Sequence, residues 1–100
     1  MKKQDLLVAC VVASALMFFA VSGYGQAEHR ALLDEYCVGC HSSTNAEAGM
    51  DLESADLGAV AQDAETWEKV IRKLRAGMMP PPGVRRPDLA TFEAFISSLE

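Results

Sequence analysis

Histidine and cysteine are scarce in this chain, which has two histidines and three cysteines. A closed structural zinc site needs four protein ligands, and the residues after position 27 would supply four only if His29 joined from the wrong side of its helix. No Ser-His-Asp set, phosphate-cradling glycine loop or pair of catalytic carboxylates can be recognised either. The sequence therefore argues against structural zinc and against hydrolase or transferase chemistry, and we predict no catalytic residues.

Positive charge and strand-like alternation are also in short supply. From residue 28 onwards the chain carries 13 acidic and 7 basic side chains, an excess of six negative charges. An acidic surface of this kind argues against a nucleic-acid partner. No segment alternates between apolar and polar residues as strands do, so the sequence predicts an all-α fold.

The segment Cys37-Val38-Gly39-Cys40-His41 has the Cys-x-x-Cys-His spacing that attaches haem through two thioether bonds. On the last turn of a helix, cysteines three residues apart face the same side, where both sulfurs can reach one porphyrin. His41 falls on that side too, so its imidazole is placed to bind the iron. A thioredoxin-like redox pair would need a βαβ context, which this sequence does not show. We therefore predict one covalently bound haem c per chain.

The N-terminus predicts an export segment. Its first residues are basic, an almost unbroken apolar run extends from Leu6 to Val21, and small residues surround Ala27. These features are typical of a signal peptide over residues 1–27, which places the mature protein in the periplasm. The stretch from about 6 to 24 is also long enough to cross a bilayer, so an uncleaved membrane anchor, with the haem domain outside the cytoplasm, is the alternative.

Cleavage after Ala27 leaves 73 residues, a size at which an apolar core rarely supplies more than about 3–5 kcal/mol without a staple. A covalently bound haem would provide the additional stabilising link that a chain of this size needs. Helical periodicity predicts three helices: one over about 28–40, one between an N-cap at Asp63 and a stop at Gly77, and one that starts at Pro87. Their predicted core residues are Leu32, Leu33, Tyr36, Trp67, Val70, Ile71, Leu74, Leu89, Phe92, Phe95, Ile96 and Leu99.

The stretch over residues 42–62 is rich in small and polar residues and is expected to be a loop with one short helical turn around 57–61. A haem-ligating histidine usually donates its second ring proton to a backbone or side-chain oxygen. We expect the acceptor for His41 to be a carbonyl between Asn45 and Leu52.

The second face of the iron needs a ligand, and Met78 and Met79 follow the second helix directly. A residue before proline is pushed towards an extended conformation, and the prolines at 80–82 stiffen the loop. We therefore predict Met79 as the distal ligand and Met78 as the second choice, although most methionines only fill gaps in a core. His29, at the start of the mature chain, is expected to be an exposed histidine without a ligand role.

Three segments carry a family resemblance: Tyr36–His41, Trp67–Val70 and Lys73–Pro81. An N-terminal helix that ends in the haem motif, a Trp-bearing helix, a Met-Pro loop and a closing helix together resemble a class I cytochrome c. The segments are similar to the small cytochrome c domains that head certain large exported bacterial proteins. The resemblance covers residues 28–100 and implies a cytochrome c-like fold, with three main helices around one covalently attached haem.

The same resemblance implies a function. It implies axial ligation by His41 and Met79, and transfer of single electrons between unidentified redox proteins outside the cytoplasm. It also suggests a haem propionate as the partner of the Trp67 indole N–H. A haem sensor with an open sixth position, or a redox domain within a larger enzyme or longer multidomain chain, are the alternatives. Basic residues cluster between Lys69 and Arg86, and we interpret most of them as the solvated face of the second helix.

Overall fold

The computed structural model describes the backbone of residues 2–100, and the side chains of residues 2–10 and 25–100. Three α-helices occur in this part of the chain: α1 (Lys3–Tyr36), α2 (Ala64–Arg75) and α3 (Leu89–Leu99). Short 3₁₀ turns at Glu47–Gly49 and Leu57–Asp63 lie between α1 and α2. Within residues 2–100 the only strand-like pairing is an isolated bridge between His41 and Ala46. The all-α prediction is confirmed.

Helix α1 is longer than the sequence predicted, because it begins at Lys3 and not near Glu28. The sequence around Ala27 contains no proline that would stop a helix, so the helix continues through the predicted cleavage point. Its end agrees with the prediction: the Cys37 N–H donates to the Leu33 carbonyl at 2.9 Å, and the haem motif follows as a turn.

The predicted export segment, residues 1–27, and the alternative anchor, about 6–24, include residues 1 and 11–24, which lie outside the fully described residues. Leu6, Leu7 and Val8 at the start of α1 are exposed. Among the residues that the structure describes, no helix combines the length and the apolar character needed to cross a membrane.

Helix α2 ends where the sequence predicts. Gly77 has φ +68°, a left-handed conformation that glycine adopts without a steric penalty. Its N–H donates to the Leu74 carbonyl at 3.1 Å, and the Met78 N–H donates to the Lys73 carbonyl at 3.0 Å. This pair of bonds is a Schellman motif, which satisfies the last carbonyls of the helix. It directs the chain into the segment over residues 77–86, called the Met79 loop below.

The start of α2 also agrees with the prediction. Asp63 stands at the N-cap, but its side chain makes no capping hydrogen bond.

Helix α3 begins two residues later than predicted. Asp88, and not Pro87, sets the start, because its carboxylate accepts hydrogen bonds from the Thr91 N–H at 2.9 Å and the Thr91 hydroxyl at 2.7 Å. The prediction that Leu89 faces the interior is wrong, since its side chain is 74% exposed. Leu89 lies in the first turn of α3, whereas the buried residues of this helix lie on its later turns.

One core joins the three helices. Its fully buried members are Leu32, Leu33, Leu52, Trp67, Val70, Leu74, Phe95, Ile96 and Leu99. All but Leu52 belong to the predicted helix faces, and Tyr36, Ile71 and Phe92 pack against this cluster as half-buried residues. His29 is not the exposed histidine that the sequence suggested: it is half-buried, and its ring packs edge-on against Phe95 with the centroids 5.6 Å apart.

The Asp88 cap leads to a pH dependence of stability. Hydrogen bonds from Thr91 lower the pKa of the Asp88 carboxyl below its ordinary value of 3.8. Because the folded state has the lower pKa, the cap stabilises the protein above the ordinary value, and the stabilisation is lost as the pH falls through the folded pKa. We expect Asp88→Asn to flatten the fall in free energy of unfolding below about pH 4, measured by urea titration at each pH. Asp63→Asn is the matched control, and equal flattening in both variants would contradict the assignment.

Candidate haem-binding site

A cavity of about 260 Å³ lies between the end of α1, the loop after the haem motif, one face of α2 and the Met79 loop. The turn after α1 contributes Cys37, Cys40 and His41 to the lining of this cavity, and the loop after α2 contributes Met79. Its walls are mainly apolar, with Leu74 among the lining residues from α2. All four residues that the sequence analysis predicted as haem attachments or iron ligands therefore border a single space.

The turn after α1 brings the two thiols and the imidazole together. The N–H groups of Cys40 and His41 both donate to the Cys37 carbonyl, at 3.2 and 3.0 Å. These bonds form one more helix-like turn after α1, so Cys40 and His41 stay on the same side of the chain as Cys37. Cys37 is half-buried and Cys40 is exposed, and no disulfide joins them.

Burial raises the pKa of the Cys37 thiol to about 11, and the positive charge of Arg30 offsets only part of the rise. The thiol is therefore protonated at neutral pH. Redox-active Cys-x-x-Cys pairs depend on a thiol with a lowered pKa, because the thiolate is the reactive form. The environment of Cys37 thus argues against a thioredoxin-like use of the motif.

The ring of His41 is held by the loop that follows it. Its Nδ1 lies 3.3 Å from the Met50 carbonyl oxygen, which can only accept, so the hydrogen bond places the ring proton on Nδ1. This leaves Nε2 with a lone pair for a metal. Met50 lies within the stretch from Asn45 to Leu52 in which the sequence analysis expected the acceptor. The Leu52 N–H also donates to the His41 carbonyl at 2.8 Å, which fixes the backbone of this candidate ligand.

Arg30 anchors this loop to α1. Its guanidinium donates to the Leu52 carbonyl at 3.2 and 3.3 Å and to the Ala55 carbonyl at 3.2 Å. The same group pairs with Asp34 one turn further along the helix, at 2.6 Å. The loop that holds the His41 ring is thereby tied to α1, which ends directly before Cys37.

The Met79 loop presents its two methionines differently. Met79 is half-buried, packs against the core and lines the cavity. Met78 is 52% exposed and does not line the cavity, and its sulfur lies 3.9 Å from the Lys73 amine. Pro80, directly after Met79, is buried. The structure therefore brings Met79, and not Met78, to the space bordered by the haem motif.

Residues 37–83 match the family model described as Planctomycete cytochrome C. The match spans just under half of the chain, begins at the first cysteine of the motif and supports a cytochrome c-type domain. A family of this description implies covalently bound haem c and haem-based electron transfer in general. No curated protein and no solved structure matches the chain.

The residues around the cavity fit the haem of a cytochrome c-type domain. Such a haem needs thiols for covalent attachment and donor atoms for the iron. The cavity offers two thiols, an imidazole whose Nδ1 is hydrogen-bonded and the thioether of Met79. The mainly apolar walls suit a large apolar macrocycle. Among the described residues, no cluster of three or more His, Cys, Asp or Glu is placed to hold a free metal ion.

Trp67 is only 1% exposed, so its predicted place in the core is confirmed. It does not line the cavity; it borders a second hollow together with Ile71 and Leu99. The contact between Trp67 and a haem propionate stays a prediction.

Two of the four basic residues of α2 form ion pairs with carboxylates. Lys69 binds Glu65 at 2.8 Å, one turn earlier on α2. Arg75 binds Glu93 at 2.7 Å and Glu100 at 2.8 Å, which ties the end of α2 to α3. These exposed pairs fit the interpretation of this zone as a solvated helix face.

Sequence reasoning missed several residues that shape the site, among them Met50, Leu52 and Arg30. Met50 acts through its backbone carbonyl, so no side-chain pattern marks it. Leu52 lies in a loop rich in small and polar residues, and the few apolar residues near it show no helical or strand periodicity. Arg30 was recognisable only as the one basic residue between 28 and 68, and that position could have suggested a structural role for it.

Proposed function

We propose that residues 28–100 form an electron-transfer domain that carries one c-type haem with His41 and Met79 as axial ligands. The observation that supports the proposal is the shared cavity: the haem motif and Met79 come from two separate segments of the chain and border one apolar space. Cys37 and Cys40 would hold the haem through thioether bonds. When bound, the haem supplies a one-electron couple between ferrous and ferric iron.

The protein groups tune and protect that couple. The Met50 carbonyl orients the His41 ring and increases the basicity of its Nε2, as hydrogen bonds to the second ring nitrogen do in metal sites. A thioether from Met79 on the other axis favours a higher reduction potential than a second histidine would. Arg30 and the Schellman motif at Gly77 hold the two ligand-bearing segments in place. With the ligand-bearing segments held in place and mainly apolar walls around them, the protein would need to move little between the two oxidation states, which would favour fast electron transfer.

We further propose that the domain works outside the cytoplasm. The basic start, the apolar run and the small residues near Ala27 support export to the periplasm by a cleaved signal peptide over residues 1–27. Retention of about residues 6–24 as an anchor would leave the domain in the same compartment. Its partners would be other redox proteins, and an enzyme joined to it in a longer chain or docked on it is one form that such a partner could take.

Potentiometric titration of the purified, matured protein tests the proposal. We expect a reversible one-electron couple, a long-wavelength charge-transfer band of methionine-bound ferric iron, and no binding of carbon monoxide to the ferrous form on mixing. A sensor with an open sixth position would give the opposite result, with no such band and immediate binding of carbon monoxide.

The proposed propionate contact of Trp67 has its own test. Trp67→Phe removes the indole N–H and keeps an aromatic ring in the core, so the haem should stay attached while the midpoint potential shifts. Phe95→Leu is the matched control, because Phe95 is as buried as Trp67 but has no ring N–H to donate. An unchanged potential in Trp67→Phe, or an equal shift in both variants, would remove the contact.

A further inference from the structure

Arg86 bonds to the Met79 loop on both sides of the methionine. Its Nη2 donates to the Gly77 carbonyl at 2.8 Å and to the Pro80 carbonyl. Gly77 precedes Met79 by two residues and Pro80 follows it directly. One guanidinium nitrogen therefore spans the short segment that carries the proposed distal ligand.

The loop has few other hydrogen bonds that could hold Met79. Prolines at 80–82 have no N–H to donate, so the segment cannot form a regular backbone ladder. Among the described residues, the backbone bonds of this segment are the two of the Schellman motif before it and a bond from the Val84 N–H to the Pro81 carbonyl at 3.1 Å after it. The two Arg86 bonds link the backbone before Met79 to the backbone after it. A hydrogen bond from a charged donor is also stronger than one between neutral groups.

The neighbouring Arg85 ties the same segment to α1. Its guanidinium pairs with the Glu35 carboxylate and lies over the ring of Tyr36, with the central guanidinium carbon 5.2 Å from the ring centroid. Glu35 and Tyr36 directly precede Cys37. Arg86 therefore follows a residue that is fixed to the last turn of α1, directly before the haem motif, so its bonds can set the position of Met79 relative to that motif.

We infer that Arg86 is a positioning residue for Met79, which acts on the distal ligand through the Gly77 and Pro80 carbonyls. This inference rests on the proposed ligation of the iron by Met79. Without Arg86, the loop loses the bonds that close it across the methionine, and Met79 detaches from the iron more often. An added ligand that competes with Met79 then binds more tightly.

The test compares Arg86→Gln with Arg72→Gln in the haem-loaded protein. Both variants remove one positive charge, but Arg72 is an exposed residue of α2 that does not line the cavity. Imidazole is titrated into the ferric protein and followed by the loss of the long-wavelength band. We expect imidazole to bind about tenfold more tightly to Arg86→Gln than to wild type, the factor expected for a lost hydrogen bond from a charged group. Arg72→Gln should match wild type.

A third variant, Arg86→Lys, separates positioning from folding. It keeps the charge and one donor group but cannot reproduce the guanidinium geometry, so its imidazole affinity should fall between the other two. Far-UV circular dichroism checks that all variants keep their helices, and a misfolded Arg86→Gln leaves the decision to Arg86→Lys. Imidazole affinities equal to wild type in both Arg86 variants, or equal shifts in Arg86→Gln and Arg72→Gln, would overturn the inference while the wild-type band still supports Met79 ligation. A wild-type protein without the band would instead refute the ligation itself.

Discussion

Replacing Cys37 and Cys40 together with serine is expected to yield a colourless chain that carries no covalent haem and is poorly folded. Among the described residues that border the cavity, the two thiols are the only groups that can form thioether bonds to a haem. The 73 residues that would remain after cleavage at Ala27 would depend on such a covalent link, because a core of that size rarely supplies more than about 3–5 kcal/mol. Absorption spectra, intact mass after denaturation and far-UV circular dichroism measure the loss of haem and of helix.

Single variants sharpen this prediction. Cys37→Ser and Cys40→Ser should each keep at most one thioether bond and lose haem more readily on denaturation than wild type. Cys10→Ser is the control, since Cys10 belongs to the predicted export segment and does not line the cavity. Normal covalent haem content in the double variant would show that the Cys-x-x-Cys-His motif does not attach it.

Met79→Ala is expected to lower the reduction potential by at least about 0.1 V and to open the sixth position of the iron. Axial ligands set haem potentials over a range of about 0.8 V, and loss of a thioether removes a ligand that favours the ferrous state. The long-wavelength band should disappear, and carbon monoxide should bind the ferrous form at once. Haem attachment should not change, because both cysteines remain.

Met78→Ala is the matched control for Met79→Ala. Met78 is exposed and has its sulfur beside the Lys73 amine, outside the cavity lining. Its replacement should leave the potential, the band and the resistance to carbon monoxide as in wild type. The reverse pattern, with Met78→Ala opening the iron and Met79→Ala silent, would exchange the roles of the two residues.

A helix end could be predicted from the sequence where one residue type marks its backbone conformation, as glycine does at the end of α2. Gly77 follows the last apolar position of α2, and the structure has it in the left-handed conformation that the Schellman motif needs. The start of α3 was less predictable because Pro87 and Asp88 both favour a helix N-terminus, and the carboxylate bonds of Asp88 decide between them. Leu89 fits the apolar stripe of α3, but periodicity does not show how far along a helix the core extends.

In the candidate site too, some residues could be predicted from local sequence motifs and others could not. The haem motif and the Met-Pro loop have local spacing rules, and the structure brings Cys37, Cys40, His41 and Met79 to one cavity as those rules lead one to expect. Contacts that join distant segments have no local pattern. Arg30 reaches a carbonyl 22 residues away, and Arg86 reaches back nine residues to Gly77. Such bonds depend on how the loops pack, so only the folded chain reveals them.

The most direct test of the central claim is the haem content of the wild-type protein after export and maturation. Intact mass under denaturing conditions, combined with the absorption spectrum of the alkaline pyridine complex, counts covalently bound haem per chain. The account predicts one haem per chain that stays with the polypeptide on acid extraction. A colourless protein with the unmodified mass, and with free thiols at Cys37 and Cys40, would contradict it.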